Sequence, residues 1–277
     1  MLEVIAGVLV AYALVVESVW GRIEYRRLVA RRDSDPRALV RLYRILLAIQ
    51  WGWTALVLTA VTGSARLDLA AIGIRAPRAD EMAWSVAIGA AVALLATIPG
   101  MRRAARSGRA IPGQAAFAAL MPRTSEERRY SAAAALTAAV CEEILYRGFF
   151  IAAGVVLLDL PIEWAAVAAA AVFVIGHIYQ GWQGLLGVTG LAVVFTFLYL
   201  RTGSLLLPVA LHALVDVRAL LLVPASPAGA GGGATARPQP GGVEVAVEGD
   251  DVGTGAGAGE VDRVGVAVAV GQGEDER

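Results

Sequence analysis

Residues 131–158 read SAAAALTAAVCEEILYRGFFIAAGVVLL, an apolar stretch with three charged residues at its centre. A bilayer-spanning helix needs about 20 mostly apolar residues, and this stretch is long enough to supply them. Burying a charge in hydrocarbon costs at least about 2.5–3.5 kcal/mol. We therefore expect Glu142, Glu143 and Arg147 to face a partner or a wet cavity inside a helix bundle.

The rest of the chain is also strongly apolar. Hydrophobic residues make up 57% of it, charged residues 17%, and the mean hydropathy is +0.64. This profile predicts an all-α, polytopic membrane helix bundle rather than a soluble domain. The single cysteine excludes an internal disulfide framework and a multi-cysteine metal site. Seven segments qualify as transmembrane helices, at about 3–20, 45–62, 83–100, 131–157, 163–180, 184–200 and 204–223.

The distribution of arginine predicts the orientation of the bundle. The segment 21–44 holds eight arginines and the segment 101–130 holds seven, whereas 63–82 holds three. By the positive-inside rule the first two segments are cytoplasmic, so the N-terminus is outside and the residues after the seventh span are inside. The C-terminal region, 225–277, is rich in Gly, Ala and acidic residues and lacks aromatic residues, which predicts a disordered tail.

Helix geometry separates the two acids of the opening stretch. Thr124 and Glu127 have the spacing of a capping box, which predicts that this helix starts before the membrane. Glu142 and Glu143 are adjacent and therefore point about 100° apart around the helix axis. Glu143 and Arg147 are four residues apart on one face, in the favourable acid-first order. Arg147 can therefore neutralise Glu143, which leaves Glu142 without an obvious partner.

The chain has two histidines, and both lie in apolar segments. Asp216 follows His212 by four residues, so the two side chains share a helix face. With the predicted orientation and about 1.5 Å of rise per residue, His177, His212, Asp216 and Glu142 all fall between the membrane midplane and the cytoplasmic face. One shared cavity explains this coincidence. The alternatives are that the histidines hydrogen-bond neighbouring helices, and that Asp216 is a helix-end charge reaching toward water.

Three short motifs on successive predicted helices resemble one family. They resemble the CAAX-prenyl-endopeptidase and bacteriocin-processing (CPBP) family of intramembrane proteases over about residues 120–222. The first three spans are matched by hydropathy alone. The motifs are Glu142-Glu143-x-x-x-Arg147, Phe173-x-x-x-His177 and His212-x-x-x-Asp216.

The resemblance implies a catalytic role for each ionisable residue. Glu142, assisted by His177, would activate a water for attack on a peptide carbonyl, and the two other charges of its helix would organise that helix. His212 and Asp216 would stabilise the oxyanion. The family commonly has Asn at the last position, and a charged Asp216 is a poor oxyanion donor, so it would have to be protonated or to orient His212.

A metal is an open alternative at this stage. Members of the family are often called metalloproteases, and zinc accepts two histidines with one carboxylate, which makes Glu142, His177 and His212 the candidate ligands. The chain lacks the H-E-x-x-H motif, and the three candidates come from three helices. We therefore predict a glutamate-activated water that needs no cofactor.

The predicted organisation is a set of N-terminal transmembrane helices with arginine-rich loops (1–119), a CPBP-like catalytic core of four transmembrane helices (120–224) and the tail (225–277). The predicted function is an intramembrane endopeptidase acting on a CAAX-type or bacteriocin-type substrate in the cytoplasmic membrane of a bacterium. Its expected partners are the lipid bilayer and a membrane-associated peptide or protein, without nucleic acid. A non-catalytic binding or immunity protein is the alternative. An ion-coupled transporter ranks third, because the ionisable residues within the predicted spans are placed in the C-terminal half.

Overall fold

The computed structural model describes residues 2–111 and 113–224, so the predicted disordered tail lies outside the described residues. The described residues are all-helical, as predicted, and each of the seven predicted spans overlaps one continuous helix. A 3₁₀-helical segment, Gln114–Leu120, precedes the fourth helix, and a 3₁₀ turn, Ile178–Gln180, precedes the sixth. The helices are α1 (Leu2–Arg31), α2 (Ala38–Thr62), α3 (Glu81–Arg106), α4 (125–158), α5 (Ile162–Gly176), α6 (Gly181–Thr202) and α7 (206–222).

Four of these helices are long and apolar enough to cross a membrane by length and composition alone. They are α1, α2, α3, and α6 together with its preceding turn. The apolar surface of α3 faces outward, because only 6% of its most apolar stretch is buried inside the protein. Helix α5 is apolar but shorter, and α4 carries the three central charges. The outward apolar surface of a helix with so few buried residues suits a lipid environment.

Helix α4 begins as predicted, before the expected membrane boundary. The Glu127 N–H donates to Thr124 Oγ1 over 3.2 Å, and the Thr124 N–H donates to Glu127 Oε2 over 3.3 Å, which completes the capping box. The centre of α4, Glu143–Phe150, is π-helical. Gly148 in this stretch packs so closely that a Cβ there would lie 2.7 Å from the Ile72 carbonyl oxygen. A glycine is therefore required for the 63–80 loop to lie against α4.

Two further π-helical stretches lie near the same region of the bundle, Tyr12–Glu17 in α1 and Arg218–Leu222 in α7. A π-helical stretch holds an extra residue per turn, so it changes the direction of the side chains that follow, and such stretches are frequent at functional sites. Residues of these two further stretches, among them Glu17 and Leu220, line one cavity.

The helices pack in a pattern that places α4 at the centre. Its first half contacts α2 and α7, and its second half contacts α5. The main apolar core joins α1, α2, α4 and α5 around aromatic residues that include Tyr146, Phe149 and Phe173. A second apolar cluster joins α3, α6 and α7 around Phe195. Gly154 allows α4 and α5 to approach closely, because a Cβ there would lie 2.9 Å from the Ala165 Cβ.

His177 is placed differently from its prediction. The fifth span was expected to run to residue 180, with His177 on a helix face, but α5 ends at Gly176 and His177 is the residue that caps it. A 3₁₀ turn follows, and Gly181 then has a φ of 72°, a left-handed conformation that glycine adopts without strain. The chain therefore reverses at this point, within what the sequence predicted as a single span.

Candidate active site

One cavity of about 340 Å³ lies where α1, α2, α4, α5, α6 and α7 meet. Its apolar wall includes Phe173 and Phe195. Four of the six predicted site residues line the cavity, and the other two lie beside it. The four lining residues are Glu142, His177, His212 and Asp216.

Glu142 is the buried carboxylate of the cavity. It lies on α4 and is only 7% exposed. Gln50 on α2 donates from Nε2 to Glu142 Oε1 over 3.0 Å. The sequence left Glu142 without an obvious partner, and the structure supplies one from a helix that is far away in the chain. A neutral amide leaves the charge of the carboxylate uncancelled, so Glu142 keeps the capacity to accept a proton from water.

His177 contributes an imidazole whose orientation is fixed by its own helix end. Its Nδ1 lies 2.8 Å from the Phe173 carbonyl oxygen, and since a carbonyl only accepts, Nδ1 is the donor. In the neutral ring, Nε2 is then the nitrogen that accepts a proton. The Phe173 and His177 rings also contact each other, with centroids 4.4 Å apart. The spacing of four residues between them therefore fixes both the tautomer and the position of the ring.

Glu143 and Arg147 lie behind the cavity wall, and they are 0% and 1% exposed. Arg147 Nη1 donates to Glu143 Oε1 over 3.1 Å, which confirms the predicted contact. The same oxygen accepts from His212 Nδ1 over 2.8 Å. The arginine carbon Cζ also lies 4.3 Å from the centre of the Phe173 ring. Glu143 therefore joins α4 to α7 and holds the His212 ring through Nδ1.

Asp216 is the fourth cavity-lining site residue. Its Oδ2 lies 3.7 Å from His212 Nε2, which is within ion-pair range but too long for a hydrogen bond. The His212 ring thus lies between two carboxylates, with Glu143 bound at Nδ1 and Asp216 near Nε2. The predicted sharing of one helix face by His212 and Asp216 is confirmed.

Three polar residues of this site, Glu17, Gln50 and Tyr146, were not predicted from the sequence. Glu17 on α1 lines the cavity and accepts a hydrogen bond of 2.5 Å from the Tyr146 hydroxyl. Gln50 contacts Glu142, as described above. The expectation that ionisable residues within the spans lie only in the C-terminal half was therefore wrong. Glu17 could have been predicted from the sequence, because it is an acid inside the predicted span 3–20. A charge buried in hydrocarbon is costly there as it is at Glu142, so Glu17 should also face a partner or a cavity.

The donor groups do not fit the alternative zinc set. Among residues 2–111 and 113–224, no group of three or more His, Cys, Asp or Glu side chains is placed to hold a metal ion. A zinc site draws three or four such donors to about 2.0–2.2 Å from one point. We therefore derive no catalytic step through a metal.

Comparison with known proteins identifies the segment that holds this site. Residues 126–218 match the family described as Rce1-like, type II CAAX prenyl endopeptidase Rce1-like. No curated protein and no solved structure matches the chain. The family and the apolar helices show that this is an integral membrane protein. The predicted family is thus confirmed for residues 126–218, the segment that matches the Rce1-like family.

Proposed function

We propose that this protein is a membrane-embedded endopeptidase that hydrolyses a peptide bond of a membrane-associated peptide or protein. The observation that carries the proposal is that a buried carboxylate, Glu142, and an oriented imidazole, His177, line the same cavity. A base that accepts a proton from water and a second group that orients that water are what peptide hydrolysis without a protein nucleophile requires. The Rce1-like match supports a protease at the level of the family.

In the proposed reaction a water between Glu142 and His177 is the nucleophile. Glu142 takes a proton from the water, whose oxygen bonds to the carbonyl carbon of the substrate and forms a tetrahedral oxyanion. When the intermediate collapses, the C–N bond breaks and Glu142 returns the proton to the leaving amine. The immediate products are a carboxylic acid end, which holds the water oxygen and one of its protons, and an amine end, which holds the other proton; the acid then ionises.

His212 is the proposed donor to the oxyanion. Its Nδ1 proton is held by Glu143, so donation into the cavity must come from Nε2, and the ring must then carry both protons. Such a ring would interact favourably with Glu143 and Asp216 together. Asp216 would then orient His212 rather than contact the oxyanion, which makes it a positioning residue. At 3.7 Å from Nε2, the Asp216 carboxylate would act on the protonated ring through its charge and would leave the Nε2 proton for the oxyanion.

A non-catalytic membrane protein on the same fold is the second candidate. The feature that favours it is Asp216, at a position where the resembled family commonly has Asn. The arrangement of Glu142 and His177 favours catalysis.

The arginine-rich segments 21–44 and 101–130 support a position of the site nearer the cytoplasm, because cytoplasmic loops carry the excess of positive charge.

The test compares Glu142→Gln with Glu163→Gln, a matched change at an exposed acid on α5. The membrane proteomes of cells with either variant or the natural chain are compared for a peptide that accumulates uncut, and the candidate is then assayed with purified protein. We expect Glu142→Gln to lower the cleavage rate by about 10²–10⁴-fold, since it removes the proton acceptor and keeps the shape. A folded Glu142→Gln protein that cleaves at the rate of the Glu163→Gln control would exclude this mechanism.

A further inference from the structure

His177 lies at a helix end, whereas Glu142, its proposed catalytic partner, lies inside α4. His177 follows the last residue of α5, and the 3₁₀ turn Ile178–Gln180 comes directly after it. A residue inside a helix is held by the hydrogen-bonded turns on both sides of it, but a residue at a helix end has such a turn on one side alone. The position of the His177 imidazole therefore depends on contacts from neighbouring helices.

Helix α1 makes one of these contacts with the end of α5. Ser18 is a buried residue of α1, and its hydroxyl donates to the Ile175 carbonyl oxygen over 3.1 Å. The carbonyls of the last turn of a helix lack partners farther along the helix, so a donor from outside fixes the helix end. Since Ile175 lies two residues before His177, this hydrogen bond ties α1 to the backbone that carries the imidazole.

The turn after His177 also packs against α1. The rings of Tyr179 and His177 are stacked, with centroids 6.0 Å apart and planes 28° apart. The Tyr179 ring lies near Tyr25 of α1, with centroids 6.4 Å apart, and a Cβ on Gly21 would lie 4.0 Å from it. Helix α1 therefore runs along the turn and contacts it on both sides of His177 in the chain.

Glu17, the residue before Ser18, reaches His177 through two other side chains. It accepts the hydrogen bond of 2.5 Å from the Tyr146 hydroxyl. The Tyr146 ring meets the Phe173 ring edge-on, with centroids 5.1 Å apart. Phe173 in turn holds His177, because its carbonyl accepts from Nδ1 and its ring contacts the imidazole. The hydrogen bond of Glu17 therefore fixes the ring that supports Phe173.

The two adjacent residues of α1 thus contact two different helices. Side chains of adjacent helical residues point about 100° apart, so Glu17 reaches α4 while Ser18 reaches α5. Glu17 is the last residue of the π-helical stretch Tyr12–Glu17, and such a stretch changes the direction of the side chains that follow. Both residues lie outside the segment 126–218 that matches the Rce1-like family.

We propose that Glu17 and Ser18 of α1 are positioning residues that hold His177 in place at the cavity. Ser18 fixes the end of α5, and Glu17 fixes Tyr146 against Phe173. The role of Glu17 does not depend on its charge, because a carboxylate oxygen and an amide oxygen both accept from a hydroxyl. The inference rests on the proposed function for its effect on cleavage, and it concerns a further part of the same site.

The experiment reads the tautomer of His177 directly. The chain has two histidines, so isotope-labelled histidine gives two sets of imidazole nitrogen signals in NMR, which His177→Ala assigns. The full chain is measured in lipid nanodiscs at about pH 8, where an ordinary imidazole is neutral. We expect the natural chain to show His177 protonated at Nδ1 alone, as its hydrogen bond to the Phe173 carbonyl requires.

Matched variants test the two residues of α1. Glu17→Met removes the acceptor, and we expect the tautomer protonated at Nε2 to reach roughly a tenth or more of the His177 signal. Glu17→Gln keeps the acceptor and should keep the natural signals. Ser18→Ala should act as Glu17→Met does, whereas Ser107→Ala, which removes a serine hydrogen bond to a carbonyl near the end of α3, should change nothing at His177.

The His212 signals distinguish positioning from a general loss of structure. They should stay as they are in the natural chain, and an equal change at both histidines would overturn the inference. Unchanged His177 signals in folded Glu17→Met or Ser18→Ala protein would overturn the role of that residue. If Glu17→Met does not fold, Tyr146→Phe removes the donor of the same hydrogen bond and is judged by the same signals.

Cleavage kinetics separate this inference from the proposed function. With a cleaved substrate, Glu17→Met and Ser18→Ala should each lower kcat about tenfold and change KM much less, and Glu17→Gln should keep the natural kcat. If the variants change the His177 tautomer but the natural chain cleaves nothing, the positioning stands and the proposed hydrolysis fails. If the natural chain cleaves and the variants keep both its kcat and its His177 signals, hydrolysis stands and the positioning fails.

Discussion

Two buried arginine–glutamate pairs occur among residues 2–111 and 113–224, and they are built in opposite ways. The first pair, Arg32 with Glu127, joins the residue after α1 to the first turn of α4, and we call it the clamp pair. The second pair, Arg147 with Glu143, lies behind the cavity, and we call it the cavity pair. Both are almost completely excluded from solvent, so burial alone does not distinguish them.

The clamp pair is fully bonded. Arg32 donates from Nη1 and Nη2 to the two oxygens of Glu127 over 2.6 and 2.8 Å, from Nε to the Ala119 carbonyl and from Nη2 to the Met121 carbonyl. Glu127 Oε2 also accepts from the Arg123 N–H over 2.6 Å. A bidentate pair with its remaining groups satisfied is the arrangement that offsets the cost of burying two charges.

The cavity pair is bonded much less completely. A single hydrogen bond of 3.1 Å joins its members. Among the described residues, Glu143 Oε2 and Arg147 Nε and Nη2 have no hydrogen-bond partner. A buried polar atom without a partner costs about 1–3 kcal/mol, so this arrangement is not optimal for stability. The cavity pair differs from the clamp pair in what its members contact. Glu143 accepts a hydrogen bond from His212, and the Arg147 guanidinium lies over the Phe173 ring of the cavity wall.

The two pairs serve different ends. The clamp pair joins three segments of backbone and stabilises the fold. The cavity pair holds an imidazole in place at the expense of unsatisfied groups, which is the pattern expected where structure serves a site rather than stability.

The largest expected effect on stability is at the clamp pair. Arg32→Met leaves the Glu127 carboxylate buried without its cation, and we expect a loss of about 3–5 kcal/mol in the free energy of unfolding. The measurement is denaturant-induced unfolding in detergent micelles. Arg31→Met is the matched control, because Arg31 is adjacent and exposed. Equal stability of the two variants would show that the clamp pair does not stabilise the fold.

A smaller effect is expected at the cavity pair, and it should be non-additive. Glu143→Gln and Arg147→Met each leave one charge buried, so each should lower stability or activity. The double variant removes both charges and should lose less stability than the sum, with a coupling energy of about 0.5–3 kcal/mol. Cleavage should nevertheless stay impaired in the double variant, because His212 loses its charged anchor.

The same double-mutant cycle applied to the clamp pair sharpens the contrast. Removing both of its members also strands the Ala119 and Met121 carbonyls and the Arg123 N–H, so recovery in that double variant should be poorer. Strict additivity at the cavity pair, measured as unfolding free energy, would show that its two charges are not coupled.

The features that the sequence predicted well are those fixed within one helix. The capping box at Thr124, the contact of Glu143 with Arg147 and the shared face of His212 and Asp216 all follow from a period of 3.6 residues, and the structure has each of them. The seven helices could be predicted because each apolar run is long enough to register in hydropathy.

The features that the sequence did not predict are contacts between helices. Gln50 reaches Glu142 across 92 residues of chain, and the Tyr146 hydroxyl reaches Glu17 across 129. Helical periodicity says which residues of one helix share a face, but it does not say which faces of different helices meet. The end of α5 at Gly176 was missed for a related reason, since hydropathy continues through a turn that the conformation of Gly181 produces.

The smallest expected effect is the change of the unfolding free energy with pH. It arises at Glu127, the acid of the clamp pair. Burial works to raise the pKa of Glu127, but the hydrogen bonds from Arg32 and from the Arg123 N–H outweigh it, so the pKa of this carboxyl lies below its ordinary value. A carboxyl with a lowered pKa in the folded protein contributes stability above its unfolded pKa of about 4.3, and this contribution is lost as the pH falls through the folded pKa. The natural chain should therefore lose stability on acidification below about pH 4.

Two glutamine variants test the origin of that loss. Glu127→Gln should be less stable at neutral pH and should show a flatter dependence of unfolding free energy on pH, because the titrating group is gone. Glu126→Gln changes the adjacent acid, which is exposed, and should keep the slope of the natural chain. The measurement is the unfolding midpoint in detergent between about pH 3 and pH 7, across the ordinary range of a carboxyl group. A slope that is unchanged in Glu127→Gln would show that Glu127 does not cause the loss of stability on acidification.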